Sequence, residues 1–164
     1  MIVLAVDVGL RVCGYVICRV DKLDIGLVKE GEVKTSSTQE FSQKLNYISE
    51  QLQKEIKNYN PQAMIIETLY SHYRHPTTLG ILAQVRGVVV LLAEKNGIKI
   101  FEYSPTKARK SFLGKGNATS FQVKKMAENI VGREFVSTHT ADAFSLVAAF
   151  SHTQKLKRLE MITQ

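Results

Sequence analysis

The hydrophobic pattern of the chain changes period several times, and each change marks an element. Residues 1–6, Met-Ile-Val-Leu-Ala-Val, are apolar without a break and rich in β-branched side chains, the pattern of a strand buried on both faces; the run ends in Asp7 and then Gly9. Residues 12–20 read as a second strand, residues 21–24 as a turn, and residues 25–33 as a third strand that Gly26 and Gly31 weaken. Turns this short make the three strands antiparallel neighbours. The period then lengthens. Ser36 to Thr38 supply helix-start chemistry, and Phe41, Leu45, Ile48, Leu52 and Ile56 recur at three- and four-residue spacings, one apolar face of an amphipathic helix that stops before Asn60-Pro61. Residues 63–66, Ala-Met-Ile-Ile, form a short buried strand that again ends in a carboxylate, Glu67.

The second half of the chain is mostly helical. Residues 78–95 are apolar almost all round, so this helix is expected to be buried on more than one side. Gly80, Ala83 and Gly87 form a row of small residues that lets another backbone approach, either the sheet or a second subunit. Asn96-Gly97 ends the helix, and residues 98–103 form a fifth strand. Ser104-Pro105 opens another helix, closed by Gly114-Lys-Gly116, and Thr119 with Gln122 fits a capping box for a helix running to Gly132. The last helix starts near Ser137-Thr138 and stays apolar and small-sided to Phe150, so it packs closely. From Lys155 the chain turns polar and basic, and fraying is expected there. These elements fit a single domain over residues 1–154 with a basic tail at 155–164.

Charge changes the picture more than composition does. Lys and Arg number 22 against 15 Asp and Glu, a net +7 that favours a polyanionic partner, nucleic acid ahead of a membrane surface. Much of the excess lies between Ser104 and Arg133, where Lys107, Arg109, Lys110, Lys115, Lys124, Lys125 and Arg133 stand against Glu128 as the only acid. A run of mixed sign is usually a solvated face; a one-signed run favours a phosphate-contacting surface. No stretch reads as long enough and apolar enough to cross a bilayer. The N-terminal run has no basic lead and no small-residue cleavage site, so it is expected to be a strand and not a signal peptide. Cys13 and Cys18 are five apart on one strand and so point to opposite faces. They are expected to be buried thiols in a reducing cytosol, neither a disulfide nor a zinc site.

The candidate chemistry gathers at strand ends. An ionised Asp7 at the mouth of a buried strand is costly unless a cation or a set of backbone N–H groups pairs with it; the alternative is a residue that only shapes the turn before Gly9. Glu67 repeats the pattern on a second core strand, and ligands of open α/β sheets gather at that edge. His139 and Asp142, three apart in the first turn of the last helix, share a face. An acid in that turn stabilises a helix by itself, and a purely structural His139 would only bond a neighbouring carboxylate. Phosphodiester hydrolysis assisted by two cations needs clustered carboxylates; Asp7, Glu67 and Asp142 offer oxygens, and His139 offers nitrogen or a proton-transfer group. The loop over residues 70–76, Tyr-Ser-His-Tyr-Arg-His-Pro, sets aromatics beside cations. Tyr70, Tyr73 and Arg74 suit nucleic-acid contact, and the alternative is that a tyrosine folds back onto the core.

The order of three antiparallel strands, helix, strand, helix, strand and further helices is the ribonuclease H-like arrangement, an α/β fold whose central five-stranded mixed sheet is flanked by helices. A closer likeness lies in the residues. Asp7-Val-Gly-Leu-Arg-Val-Cys-Gly-Tyr15 resembles the first-strand motif of the RuvC-type crossover junction endodeoxyribonucleases, with Val8 where proline is common. Ile66-Glu67 with Tyr70, Gln84-Val-Arg-Gly87, Glu102-Tyr103-Ser-Pro105, Gly114-Lys-Gly116 and Ala141-Asp142-Ala143 match further motifs in order, and the likeness runs from Met1 to about His152. The resemblance implies a Mg2+-dependent enzyme, with two ions per site and Mn2+ as a substitute, held by Asp7, Glu67, His139 and Asp142 as catalytic residues. Tyr70, Tyr73, Arg74, Lys107, Arg109, Lys110, Lys115 and Lys124 become expected DNA contacts. It further implies a cytoplasmic homodimer that nicks four-way (Holliday) DNA junctions symmetrically, in recombination and repair, alongside a branch-migration helicase complex. Two departures stand out. The family often has Asp where this chain has His139, and a basic residue usual after the Gly-x-Gly turn falls on Ser120, which leaves Arg109, Lys115 and Lys124 as candidates for that role.

Three other classes compete. An RNA-acting nuclease of the YqgF type shares Asp7-Val-Gly9 but matches Glu67 through Tyr70 and the basic block less well. An actin-like or sugar-kinase ATPase half needs a second half-domain. A junction-binding module with a decayed site is opposed by the presence of all four ligand-type residues and kept open by Ser120.

Overall fold

The two unbroken apolar runs lie side by side at the centre of one sheet. In the computed structural model, which describes residues 1–22, 24–69 and 75–162 (side chains to residue 156), the strands are β1 (Ile2–Asp7), β2 (Val12–Asp21), β3 (Asp24–Lys34), β4 (Ala63–Glu67) and β5 (Lys99–Tyr103). Their order is β3-β2-β1-β4-β5, with β2 antiparallel to β1 and β3, and β4 parallel to β1 and β5. The helices are α1 (Phe41–Tyr59), α2 (Pro76–Lys95), α3 (Pro105–Leu113), α4 (Ser120–Val131) and α5 (Thr138–Ile162).

Side-chain alternation divides the core into two layers. Val3, Ala5, Ala63 and Ile65 pack with Phe144 and Phe150 of α5 and with residues of α3 and α4. Leu4, Val6, Met64 and Ile66 pack on the opposite face with Ile48 and Leu52 of α1 and Val85 and Val89 of α2. β1 and β4 are apolar without a break because helices cover both of their faces. By the same period of two, Asp7 and Glu67, which follow the paired residues Val6 and Ile66, belong to the α5 side of the sheet. Cys13 and Cys18 fall in opposite core layers as free, buried thiols, as their spacing predicts.

Four details differ from the sequence reading. The N-cap of α1 is Glu40, whose N–H donates to Gln43 Oε1 at 2.9 Å; Ser36 bonds Thr38 instead. α2 starts earlier, at Pro76, because the His75 ring accepts from the Thr77 N–H at 3.4 Å and Pro76 suits the first helical position. α5 continues to Ile162, so the tail from Lys155 to that point is helical where fraying was expected. Finally, α2 is long enough and apolar enough to cross a bilayer by length and composition, with 20 residues and a mean hydropathy of 1.6, which corrects the expectation that no stretch is. Here only one face of it, Leu82, Val85, Val89, Leu92 and Ala93, is buried in the domain, and not the several sides that its all-round apolar pattern predicts. Its small-residue row does not face the sheet: a Cβ added at Gly80 or Gly87 would meet nothing within 4 Å, and Leu91 beside them is 54% exposed. An Arg86–Glu102 ion pair ties α2 to β5.

Candidate active site

The first turn of α5 is seated directly on β2. A Cβ at Gly14 would lie 2.4 Å from the His139 carbonyl carbon and 2.6 Å from its Cβ, so only glycine lets the two backbones approach this closely. Ser137 caps the helix, its Oγ accepting from the N–H groups of His139 at 3.1 Å and Thr140 at 3.2 Å. This seat brings His139 Nδ1 to 2.7 Å from Asp7 Oδ2 at the end of β1. Three residues along the same helix face, Asp142 Oδ2 accepts from Ser120 Oγ at 2.7 Å. Arg109 of α3 closes that side. Its Nη1 donates to the Ala118 carbonyl at 2.8 Å, its Nη2 donates to Ser120 Oγ at 3.1 Å, and Nη2 lies 3.6 Å from Asp142 Oδ1. Asp7, Glu67, Arg109, Ser120, His139 and Asp142 thus line one cleft of about 280 Å³.

The loop behind Asp7 is held from inside. The buried Cys13 thiol donates to the Gly9 carbonyl at 2.7 Å and accepts from the Gly9 N–H at 3.4 Å. Burial pushes this thiol up to about 11, against the pull of the Gly9 hydrogen bond, so it stays a protonated donor. The hydrogen bond to Asp7 raises the His139 pKa most; partial burial opposes it, and the charges of Asp7, Glu32 and Asp142 add to it. Desolvation raises the Asp142 pKa, and Asp7 raises it further, while the hydrogen bond from Ser120 and the charges of Arg109 and His139 hold it down. Glu32, reaching in from β3, bonds the Ser137 side chain and pairs with Lys34 at 2.7 Å. Its burial pushes upward, but these partners outweigh it and its carboxyl sits below the usual range.

The sequence-predicted residues divide into four groups. Asp7, Glu67, His139, Asp142 and Arg109 come together. Among the described residues no three His, Cys, Asp or Glu side chains are gathered closely enough to enclose a metal ion, since Asp7 is turned to His139 and Asp142 to Ser120 and Arg109. Lys107, Lys110 and Lys115 are exposed and, among the described residues, in no ion pair, with the Lys107 ammonium 5.3 Å from the centre of the Tyr103 ring. The rest of the basic block is partly neutralised: Lys124 and Lys125 share Glu128, and Arg133 pairs with Glu30 of β3 at 2.6 Å. Tyr70, Tyr73 and Arg74 lie outside the described residues. Sequence reasoning missed Gly14, Glu32 and the part played by Ser120. A glycine inside a strand pattern is a signal of close backbone approach, so Gly14 was available to it; Glu32 and the Ser120 contact carry no signal in sequence spacing.

A five-stranded mixed sheet with acids at the ends of its two central strands, and a helix setting His and Asp against the same edge, defines a ribonuclease H-like domain. Residues 3–152 match the family described as crossover junction endodeoxyribonuclease RuvC. Two curated relatives carry that same description. The protein of Brachyspira hyodysenteriae is 31% identical over 95% of this chain and 97% of its own, and that of Chlamydia abortus is 33% identical over 92% and 94%. The solved Thermus thermophilus RuvC in complex with Holliday junction substrate superposes with a TM-score of 0.86 at 22% identity, covering 96% of both chains. This chain belongs to the RuvC family.

Two predictions follow from the seat of α5. Gly14→Ala should cost about 1–3 kcal/mol through overpacking. It should also separate His139 from Asp7, so that the imidazole pKa followed by NMR falls; an unmoved titration would contradict the contact. The second concerns pH. Because Asp7 raises the His139 pKa in the folded state, the protonated ring stabilises the fold below its unfolded value of about 6.5, and that contribution is lost as pH rises through the folded value. In metal-free buffer the stability gap between the wild type and His139→Ala should therefore be widest near pH 5 and narrow by about pH 9. Urea unfolding across that range measures it, and a pH-independent gap would refute the assignment.

Proposed function

We propose that this chain resolves four-way (Holliday) DNA junctions by divalent-cation-assisted phosphodiester hydrolysis. The observation that carries this reading is the convergence of Asp7, Glu67, His139 and Asp142, from β1, β4 and α5, on a cleft that also holds Arg109. Membership of a family of crossover junction endodeoxyribonucleases supports the substrate.

The donor set fits a hard divalent cation, since three carboxylates and an imidazole line the one cleft. Asp7, Glu67, Asp142 and neutral His139 would hold Mg2+, two ions per site, with Mn2+ as a substitute that imidazole suits well. Bound there, such ions supply an activated water and neutralise charge on the phosphate. The chain's own groups do the positioning. Arg109, fixed by Ala118 and Ser120, presents a guanidinium to a phosphate entering the cleft, the role for which a basic residue at position 120 is missing. His139 must shed its proton to offer a lone pair, so acid should inactivate the enzyme. Lys107, Lys110 and Lys115, with Lys124 beyond them, would contact backbone phosphates at a distance from the chemistry. Tyr70, Tyr73 and Arg74, following Glu67 in the chain, would meet unpaired bases.

The acting unit is a homodimer, since a two-fold dimer presents one site to each of two equivalent strands. The outward row of Gly80, Ala83 and Gly87, with exposed Leu91, supports a close approach by a second copy. A branch-migration helicase complex would supply the junctions, in the cytoplasm, and two free buried thiols accord with a reducing compartment.

The test uses a synthetic four-way junction and a matching RNA-containing duplex. With Mg2+ the wild type should leave paired, symmetric nicks in the junction, and Asp7→Asn should bind the junction with similar affinity yet cut it at least a thousandfold more slowly (~4 kcal/mol or more of lost transition-state stabilisation). Cleavage that survives Asp7→Asn would sink the site assignment, and preferential cutting of RNA would favour the other nuclease class.

A further inference from the structure

Beside the active cleft lies a second depression, between α3 and α4, that the proposed reaction does not use. It measures about 350 Å³ and is lined by Leu113, Lys115, Ala118, Phe121, Lys125 and Met126, among others. Phe121 is 64% exposed, the most exposed large apolar side chain among the described residues. An aromatic ring left in water at the second position of a helix has no part in the core. Its backbone is fixed, because Thr119 caps α4 in a reciprocal box with Gln122 on either side of it. The ring is also posed: the Lys125 ammonium lies 5.8 Å from its centre and is held by Glu128 at 3.1 Å.

The two depressions share a wall one segment thick. The Ala118 carbonyl anchors Arg109 in the active cleft, while Ala118 itself lines the second groove. Ser120 bonds Asp142 on one side, and the next residue, Phe121, opens onto the other. We infer that this groove receives an unpaired nucleobase of the DNA strand whose phosphate occupies the cleft, stacked on the Phe121 ring, with Lys115 and Lys125 beside its phosphates. The inference rests on the DNA reading above. Charge complementarity selects this occupant: the charged groups lining the groove are Lys115, in no ion pair among the described residues, and Lys125, which shares Glu128, and no carboxylate lines it. Leu113, Met126 and the ring offer the flat apolar contact that a base face needs. The centre of a protein interface is depleted in lysine, which argues against a second copy of the chain as occupant. A base already stacked inside a duplex cannot use the ring, so Phe121 would favour DNA that exposes a base near the cut, as a branched junction can.

The experiment uses the full chain, a four-way junction carrying 5-iododeoxyuridine at successive positions around the crossover, and EDTA to prevent cleavage. Irradiation should cross-link a position next to the scissile phosphate to the peptide containing Phe121. Phe121→Leu keeps the apolar bulk but removes the ring face; it should lose that cross-link and bind about tenfold more weakly, with an unchanged salt slope. Phe121→Tyr should keep both. Lys115→Ala should instead lower the salt slope by about one. Junction binding by Phe121→Leu at wild-type strength, or a change in its oligomeric state without DNA, would overturn this inference alone. A wild type that binds no junction would overturn it together with the proposed function.

Discussion

At Gly14 the backbone of β2 and the first turn of α5 meet with no room for a methyl group. That contact sets the height at which His139 and Asp142 arrive over the sheet edge, and everything in the cleft depends on it. β1 and β4 can deliver acids to the edge on their own, but a sheet edge with two acids is only a negative patch. The helix turns it into a site, since it adds an imidazole on Asp7 and a third carboxylate against Ser120 and Arg109. The rest of α5 serves the same end. Phe144 and Phe150 are fully buried, and Phe144 meets Phe112 and Phe135 edge to face, so the helix has little freedom to slide along its axis.

A second constraint is electrostatic. Several carboxylates share a partly desolvated cleft, where like charges repel strongly. In this structure partners relieve the repulsion: the His139 ring, whose pKa is raised by the contact, stands on Asp7, and Arg109 stands near Asp142. A divalent cation held there would relieve it too, and would compete with a proton on His139. Glu30 and Glu32 of β3 extend this logic beyond the cleft. Glu30 accepts from Arg133 and from the Val136 N–H, and Glu32 bonds Ser137, so an edge strand clamps the segment leading into α5. The clamp also neutralises part of the basic block. The positive surface left beside the cleft is therefore narrower than the charge count implies, and it includes Lys107, Lys110 and Lys115.

The sequence was most legible where a local pattern carries the physics. β1 and β4 were readable as buried strands because their apolar runs are unbroken, and the acids closing both runs marked the edge where the cleft lies. The caps of α3 and α4 followed from Ser104, Pro105, Thr119 and Gln122. Legibility failed where partners are distant in the chain. Ser120 read as a missing base, whereas in space its hydroxyl links Arg109, eleven residues back, to Asp142, twenty-two residues on. Arg133 read as part of a one-signed run because its counter-charge, Glu30, is 103 residues away. Fraying was expected from Lys155 because polarity rises there, yet α5 keeps its helical backbone to Ile162.

The central claim is that α5, β1 and β4 together build one divalent-cation site. The direct measurement is an anomalous difference map from crystals of the full chain grown with Mn2+ and a non-cleavable four-way junction. Mn2+ is expected between the carboxylates of Asp7, Glu67 and Asp142 and the His139 ring, with His139 no longer donating to Asp7. Manganese bound elsewhere in the domain, or an empty cleft while the junction phosphate is in place, would contradict it.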